Sequence, residues 1–220
     1  MKLGLWARRE CWTLTFRGKL LIFGAVLSLV VLFREEGYPF LATSHRIDSD
    51  LLIVEGWIPE NVVGQAAAEF TRGHYRQLLL VRHAYGSESQ TQYVDGRSVQ
   101  RDYQASLLFD YGIPRQSLGV LYYPAVERDR TYHAALATKE WLEAAGMLGR
   151  PFNVVTAGPH ARRSWLMFLK TFGNTAEIGI VPLTDPEYDP KHWWRTSEGV
   201  REVLGETIAY VYAKFFFVSQ

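Results

Sequence analysis

A group of basic side chains follows an apolar run near residue 155. The run ends at Thr156, and Gly158, His160, Arg162 and Arg163 come directly after it. If the run is a strand that leads into a helix, the first helical turn presents unpaired amide N–H groups at this point. Two arginines add permanent positive charge. We therefore expect Thr156, Gly158, Arg162 and Arg163 to bind a phosphate or carboxylate, with His160 as a candidate catalytic residue.

A second interpretation of the same cluster stays open. By helical phase Arg163 shares a face with Lys170, opposite an apolar stripe that contains Trp165, Phe168 and Phe172. That pattern also describes a solvated basic face. The helix dipole disfavours cations in a first turn, which slightly favours a functional role. The cluster alone leaves both interpretations open.

Residues 126–135 form a second group that follows an apolar run and opens a helical pattern. Glu127 is the candidate acid/base, with Asp129 as the alternative. Arg130 is a candidate anion ligand, and Thr131 a helix N-cap or a further ligand contact. A capped helix with surface charges explains the same residues.

The first apolar run after residue 50 ends in Glu55 and Gly56. Because Gly56 has no side chain, it permits either a close approach of the backbone to a ligand or a tight turn. We place both residues among the candidate ligand contacts. Trp57 is a candidate wall of the same site.

Several familiar chemistries have no motif in this sequence. It contains no G-x-S-x-G elbow, no phosphate-binding G-x-x-x-x-G-K-[ST] loop and no complete G-x-G-x-x-G fingerprint. The six histidines show no metal-ligand spacing, so we predict no metal site. The net charge of +1 argues against a nucleic-acid partner.

The candidate residues sit in a pattern of alternating strands and helices. Short apolar runs predict strands at 51–54, 78–81, 118–122, 152–156 and 178–181. Helical patterns occupy 60–71, 98–111, 131–145 and 160–172, and a last helix runs over 200–215. This alternation predicts an α/β domain with a mainly parallel sheet covered on both faces. We expect the apolar stripe of the last helix to be core, although its end could also contact lipid.

An apolar segment precedes this domain. Residues 20–33 carry no charge but are shorter than the ~20 residues of a comfortable span, so a buried helix and a signal peptide must be weighed. No small-x-small cleavage site follows Phe33 directly, which favours an uncleaved signal anchor.

The flanking charges predict the orientation of this anchor. More cations precede the segment than follow it, which predicts a single-pass membrane protein with a cytoplasmic N-terminus. The sole cysteine, Cys11, then lies on the cytoplasmic side, in agreement with an exported domain. We assign 1–19 to a cytoplasmic segment, 20–36 to the anchor, 37–49 to a connector and 50–220 to the α/β domain.

Taken together, these segments resemble the YdcF/SanA/ElyC family of bacterial envelope proteins, whose shared domain has no known function. The family pattern has an early strand ending in glycine, an acidic residue before T-x-E-N-A, and a late V-T-x-x-x-H-x-x-R segment. The counterparts here are 50–56, Glu127 with 131–135, and 155–156 with His160 and Arg163. The chain departs from the family in having His133 and Ala134 where the pattern has Glu-Asn.

The resemblance implies a Rossmann-like, three-layer α/β domain tethered to the bacterial plasma membrane and linked to cell-envelope or peptidoglycan-precursor metabolism. It favours a ligand role for His160 and Arg163. We expect an anionic small molecule or lipid-linked precursor as partner, with the main domain on the outer side of the membrane. Two alternatives stay open: a non-catalytic envelope factor, and a protein that binds S-adenosylmethionine or a nucleotide. The sequence names no cofactor.

Overall fold

A computed structural model describes residues 14–84, 91–99 and 102–218. The chain divides into two compact units, Met1–Glu36 and Gly37–Gln220. Lys2, Arg8, Arg9 and Cys11 lie outside the described residues, and so do 1–13 of the segment that we assign to the cytoplasm.

The first helix, α1, spans Phe16–Leu41 and is longer than the predicted segment at both ends. It is the one helix among the described residues that is long and apolar enough to span a membrane. None of its apolar window is buried inside the protein.

The second unit is built on a six-stranded sheet. All five predicted strands are confirmed, and the strands are β1 (Leu51–Glu55), β2 (Gln77–His83), β3 (Gln92–Asp95), β4 (Leu118–Tyr123), β5 (Phe152–Ala157) and β6 (Ile178–Leu183). Their order is β3-β4-β2-β1-β5-β6, and β3 alone runs antiparallel, against β4. The sequence did not predict β3, because this edge strand is only four residues long and mostly exposed.

Five helices accompany the sheet: α2 (Glu60–Arg72), α3 (Tyr103–Asp110), α4 (Arg130–Ala144), α5 (Ala161–Phe172) and α6 (Ser197–Phe215). The bounds of α2, α4 and α5 lie within about two residues of the predicted ones. The last helix, α6, begins three residues earlier than predicted. The helix predicted over 98–111 is the exception, because α3 begins only after Asp102, whose side chain accepts a hydrogen bond from the Ala105 N–H at 2.9 Å. Residues 100–101 lie outside the described residues.

The sheet is covered on both faces. Leu52 and Val54 of β1 pack in one cluster with side chains of α2 and α3, whereas Leu51 and Ile53 pack with α4 and α5. Burial on both sides explains why the central strands are uninterrupted apolar runs in the sequence. The structure is therefore an α/β domain with a mostly parallel, mixed sheet.

The chain order reverses beside β1. From β1 the chain moves outward to β2 and β4, and it then returns to place β5 and β6 on the other side of β1. Helices that follow β1 and β5 therefore leave the sheet on opposite sides. A crevice forms outside the carboxyl ends of strands at such a reversal, and ligands of open α/β sheets bind there.

The segment between α1 and β1 is docked on the sheet. His45 forms two backbone hydrogen bonds with Ile180 of β6, at 2.9 and 2.8 Å. The buried Asn153 side chain bonds both the N–H and the C=O of Ile47. Tyr38 and Leu41 are buried as well. The connector predicted over 37–49 is thus held in place along much of its length.

The last helix corrects one expectation. Of the stripe expected to be core, Val203 is fully buried, but four large apolar side chains are exposed: Leu204, Ile208, Val211 and Phe215. Periodicity identified the helix correctly and could not show which of its faces packs against the rest of the domain.

Candidate functional site

A cavity of about 540 Å³ opens at the carboxyl ends of the strands. The end of β1, the start of α4, the start of α5 and one face of α6 form its walls. Its charged and polar lining side chains are Glu55, Arg82, His83, Tyr123, Asp129, Arg130, Thr131, Tyr132, His160, Arg163, Glu202, Glu206 and Tyr212.

Glu55, the last residue of β1, is a buried carboxylate in the cavity wall. Its side chain points to the α4/α5 side of the sheet, as the alternation along β1 requires, and only 1% of the residue is exposed. One oxygen, Oε2, accepts a hydrogen bond from the Ser164 hydroxyl at 2.7 Å. The other, Oε1, has no hydrogen-bond partner in the part of the chain that the structure describes. A buried acceptor without a partner is costly, and a ligand donor would satisfy it.

Gly56 is explained by the packing of two strands. Its N–H donates to the Val81 carbonyl at 2.7 Å. A Cβ at this position would lie 2.5 Å from the Cβ of Arg82. The glycine lines the cavity, but the neighbouring strand is the reason that no side chain fits.

His160 is the centre of the polar cluster and is 5% exposed. Its Nδ1 lies 2.9 Å from Glu206 Oε1 and 2.7 Å from Arg163 Nη2, so Nδ1 donates or accepts according to the tautomer. In both cases this side of the ring is fixed. The other nitrogen, Nε2, lies 3.4 Å from the Thr131 hydroxyl and 3.7 Å from Glu55 Oε2.

The Trp57 ring covers His160. The two ring centroids are 4.2 Å apart, in an edge-to-face arrangement. Trp57 is itself 45% exposed, so it forms the outer wall that the sequence predicted for this position. Together with the contacts at Nδ1, this packing leaves Nε2 as the ring atom that faces the polar residues of the cavity.

Arg163 and Glu206 form a two-point ion pair. Arg163 Nε donates to Oε2 at 2.8 Å and Nη2 donates to Oε1 at 2.9 Å. Burial acts to raise the pKa of Glu206, but the Arg163 hydrogen bonds and the neighbouring positive charges hold it well below its ordinary value of 4.5. The interpretation of Arg163 as part of a solvated face is wrong, because its guanidinium is hydrogen-bonded to the carboxylate of Glu206 on α6.

Only part of the basic cluster at residues 156–163 reaches the cavity. Arg162 does not line the cavity: its Nε donates to the Phe40 carbonyl, and its guanidinium lies 3.9 Å above the Phe40 ring. Thr156 and Gly158 are buried and do not line the cavity. Gly158 has a φ of +38°, which an L side chain rarely adopts, so this turn before α5 needs glycine.

A cationic wall stands at the ends of β2 and β4. Arg82 forms an ion pair with the α3 N-cap, Asp102, at 2.9 Å, and Arg130 is an exposed first residue of α4. Burial lowers the pKa of His83, and the positive charges of Arg82 and Arg130 lower it further. Of the three basic side chains of this wall, Arg130 is the exposed one.

The second predicted group, 126–135, is brought to the cavity only in part. Asp129, Arg130 and Thr131 line it, and Asp129 adopts a left-handed backbone with a φ of +53° as the chain enters α4. Glu127 is exposed and is not a lining residue. The candidate acid/base Glu127 therefore does not line the cavity that holds His160, because the chain turns into the cavity only after Glu127.

Two basic and two acidic lining residues were not identified from the sequence. Arg82 and His83 follow a predicted strand directly, so the rule used for the other strand ends would have found them. Glu202 and Glu206 lie on the last helix, far along the chain, and carried no local signal. Burial raises the pKa of Glu202, and the negative charge of Glu206 raises it further.

The crevice brings together an imidazole that can accept or donate a proton, His160, and the basic side chains at the ends of β2 and β4. Among the described residues, no three His, Cys, Asp or Glu side chains are grouped so as to hold a metal ion. The fold and site define an α/β protein with a polar crevice at its strand reversal. No protein-family model, no curated protein and no solved structure matches this chain.

Proposed function

We propose that this chain is a membrane-anchored, Rossmann-like domain of three layers that binds an anionic, phosphate-bearing small molecule in the crevice. One observation carries the proposal: at the strand reversal, an accessible arginine faces the same cavity as a histidine whose ring is fixed and whose Nε2 faces polar neighbours.

Arg130 is the residue that we assign to the anion. Arg163 is paired with Glu206 in two hydrogen bonds, and Arg82 is paired with Asp102. Arg130 is exposed at the N-terminus of α4, where helix N–H groups add to its charge. A phosphate or carboxylate bound here would also approach His83.

His160 is the acid/base in this proposal, the role that the sequence analysis gave to Glu127. Glu206 and Arg163 fix the ring from the Nδ1 side, so Nε2 is the atom that exchanges a proton with a ligand. Glu55 Oε2 lies 3.7 Å from Nε2, beside the proton that this atom would exchange. Arg163 is then a positioning residue, since its own charge is neutralised.

The location follows from the N-terminal helix and from the resemblance to the YdcF/SanA/ElyC family. We propose a single-pass protein of the bacterial plasma membrane with a cytoplasmic N-terminus. The domain would act outside, in cell-envelope or peptidoglycan metabolism, on a soluble phosphate or on a lipid-linked precursor. A fusion reporter at Gln220 that is active only in the cytoplasm would contradict this orientation.

The residues at the end of β2 disfavour the alternative ligands, S-adenosylmethionine and a nucleotide. Domains of this architecture that bind ribose hydroxyls place an acidic residue near the end of the second strand. Here β2 ends in Arg82 and His83. These side chains suit a phosphate better than a ribose.

A thermal-shift panel on the full chain in detergent tests the proposal, because a specific ligand stabilises the state that binds it. The panel contains inorganic phosphate, sugar phosphates, each parent sugar without phosphate, and S-adenosylmethionine. We expect stabilisation by phosphorylated compounds and not by their parent sugars. Stabilisation by S-adenosylmethionine alone, or by nothing in the panel, would contradict the proposal and favour the adenosyl and non-catalytic alternatives respectively.

A further inference from the structure

The exposed apolar stripe of α6 consists of Leu204, Ile208, Val211 and Phe215. Ile208 and Phe215 are each 72% exposed. At 100° per residue the four positions fall within about 60° of one another, so they form one continuous strip. A strip of large apolar side chains along a surface helix marks an interaction site.

The stripe lies opposite the face that α6 turns to the cavity. Glu202, Glu206, Ala209 and Ala213 line the cavity or are buried, and their positions are roughly 130–190° from the centre of the stripe. The helix is thus apolar on its outer side and polar on the side that holds His160. Packing within the described protein does not cover the outer side.

Chain length keeps α6 close to the membrane boundary. Phe40 packs edge to face on Tyr210 of α6, with ring centroids 5.6 Å apart. Phe33 ends the charge-free apolar run, and Phe40 lies seven positions further along the chain. Seven residues reach no further than about 25 Å even when fully extended. If the run spans a bilayer, the middle of α6 lies within that reach of its surface.

The residues that flank the stripe suit a bilayer with anionic lipids. Arg201 and Lys214 are exposed on either side of it, and Tyr212 and Phe216 are exposed aromatic side chains near its end. Cations that border an apolar strip, with aromatic residues beside it, are typical of helices that lie in the membrane interface.

We infer that α6 lies on the membrane surface with this stripe in the headgroup region, so that the cavity on its other side faces away from the lipid. The inference rests on the anchoring of the chain by α1 and not on the identity of the ligand. The occupant of the stripe is thus the lipid surface and not a second copy of the chain.

Spin labels on the full chain test this inference. A cysteine replaces Ile208 in a Cys11→Ser background, and Glu140→Cys on the exposed side of α4 serves as the matched control. The protein is reconstituted in vesicles of phosphatidylethanolamine and phosphatidylglycerol, and flotation first establishes that it is anchored. We expect the label at 208 to collide several-fold more with oxygen, and several-fold less with a water-soluble nickel chelate, than the control label.

Two results would overturn the inference. One is equal access of the nickel chelate to both labels in protein that floats with the vesicles. The other is spin–spin broadening at 208 that disappears when unlabelled chain is added, which would place a second copy on the stripe. Failure to float would instead contradict the anchor, and a silent thermal-shift panel would contradict the ligand proposal, so the three claims fail separately.

Discussion

Glu206 Oε2 accepts a hydrogen bond from Arg163 Nε at 2.8 Å, across 43 residues of sequence. This pair joins α6 to α5 and closes one side of the cavity. It also fixes Nδ1 of His160, because Glu206 Oε1 is 2.9 Å from that nitrogen. The C-terminal helix is therefore part of the candidate site as well as its boundary.

Glu206→Gln should destabilise the protein by roughly 1.5–3 kcal/mol at neutral pH, as expected when a hydrogen bond to a charged group is lost. The Glu206 side chain is only 14% exposed, so solvent replaces little of the lost interaction. Urea unfolding of the full chain in detergent measures the change. Glu140→Gln, an exposed site on α4, should stay within about 0.5 kcal/mol of the wild type.

The same variant predicts a pH dependence. The folded-state pKa of Glu206 is depressed below 4.5, so its contribution is complete above that value and is lost as the pH falls towards the folded pKa. The stability difference between wild type and Glu206→Gln should be constant around neutral pH and shrink below pH 4.5. A difference that grows on acidification would show that the pair has the opposite linkage.

Phe168→Ala should cost about 3–5 kcal/mol, because the ring is fully buried between Phe152 and Phe172. Trp165→Ala should cost less. Trp165 is half-buried and donates from Nε1 to the Ile178 carbonyl at 2.8 Å. Unfolding of the two variants in parallel gives the comparison, and a larger loss at Trp165 would place the main packing of α5 elsewhere on the helix.

Gly56→Ala should destabilise the fold by roughly 1–3 kcal/mol, the usual cost of overpacking. The added Cβ would lie 2.5 Å from Arg82 Cβ and 2.9 Å from the Val81 carbonyl oxygen. Gly205→Ala is the control, since its Cβ meets open space on α6 and alanine favours helix by about 0.5–1 kcal/mol. Equal thermal midpoints for the two variants would refute the close approach of β1 and β2.

Local patterns in the sequence predicted most of the sheet and its helices. The five parallel strands are buried apolar runs, and α5 has its apolar stripe at helical spacing. The edge strand β3 has neither property. The exposed side of α6 was not predictable either, because an exposed apolar stripe has the same helical spacing as the stripe of a core helix.

The candidate site was predictable where it follows strand ends and unpredictable where it depends on distant pairing. Glu55, Thr131 and His160 were found from their positions after or near strands. Glu206 was not, because only the packing of α6 against α5 brings it to Arg163. The same pair engages the Arg163 guanidinium, which the sequence assigned to an anionic ligand.

The most direct test of the central claim is the dissociation constant of the phosphate-bearing compound that gives the largest thermal shift. Isothermal titration compares the full-length wild type with Arg130→Gln, which alters the cavity, and with Arg128→Gln, which removes an equal charge from an exposed residue outside the cavity lining. A charge-assisted hydrogen bond of roughly 1.5–3 kcal/mol corresponds to about a 10- to 150-fold weaker affinity. We predict that loss for Arg130→Gln and an unchanged constant for Arg128→Gln, whereas equal constants for Arg130→Gln and wild type would contradict binding in this cavity.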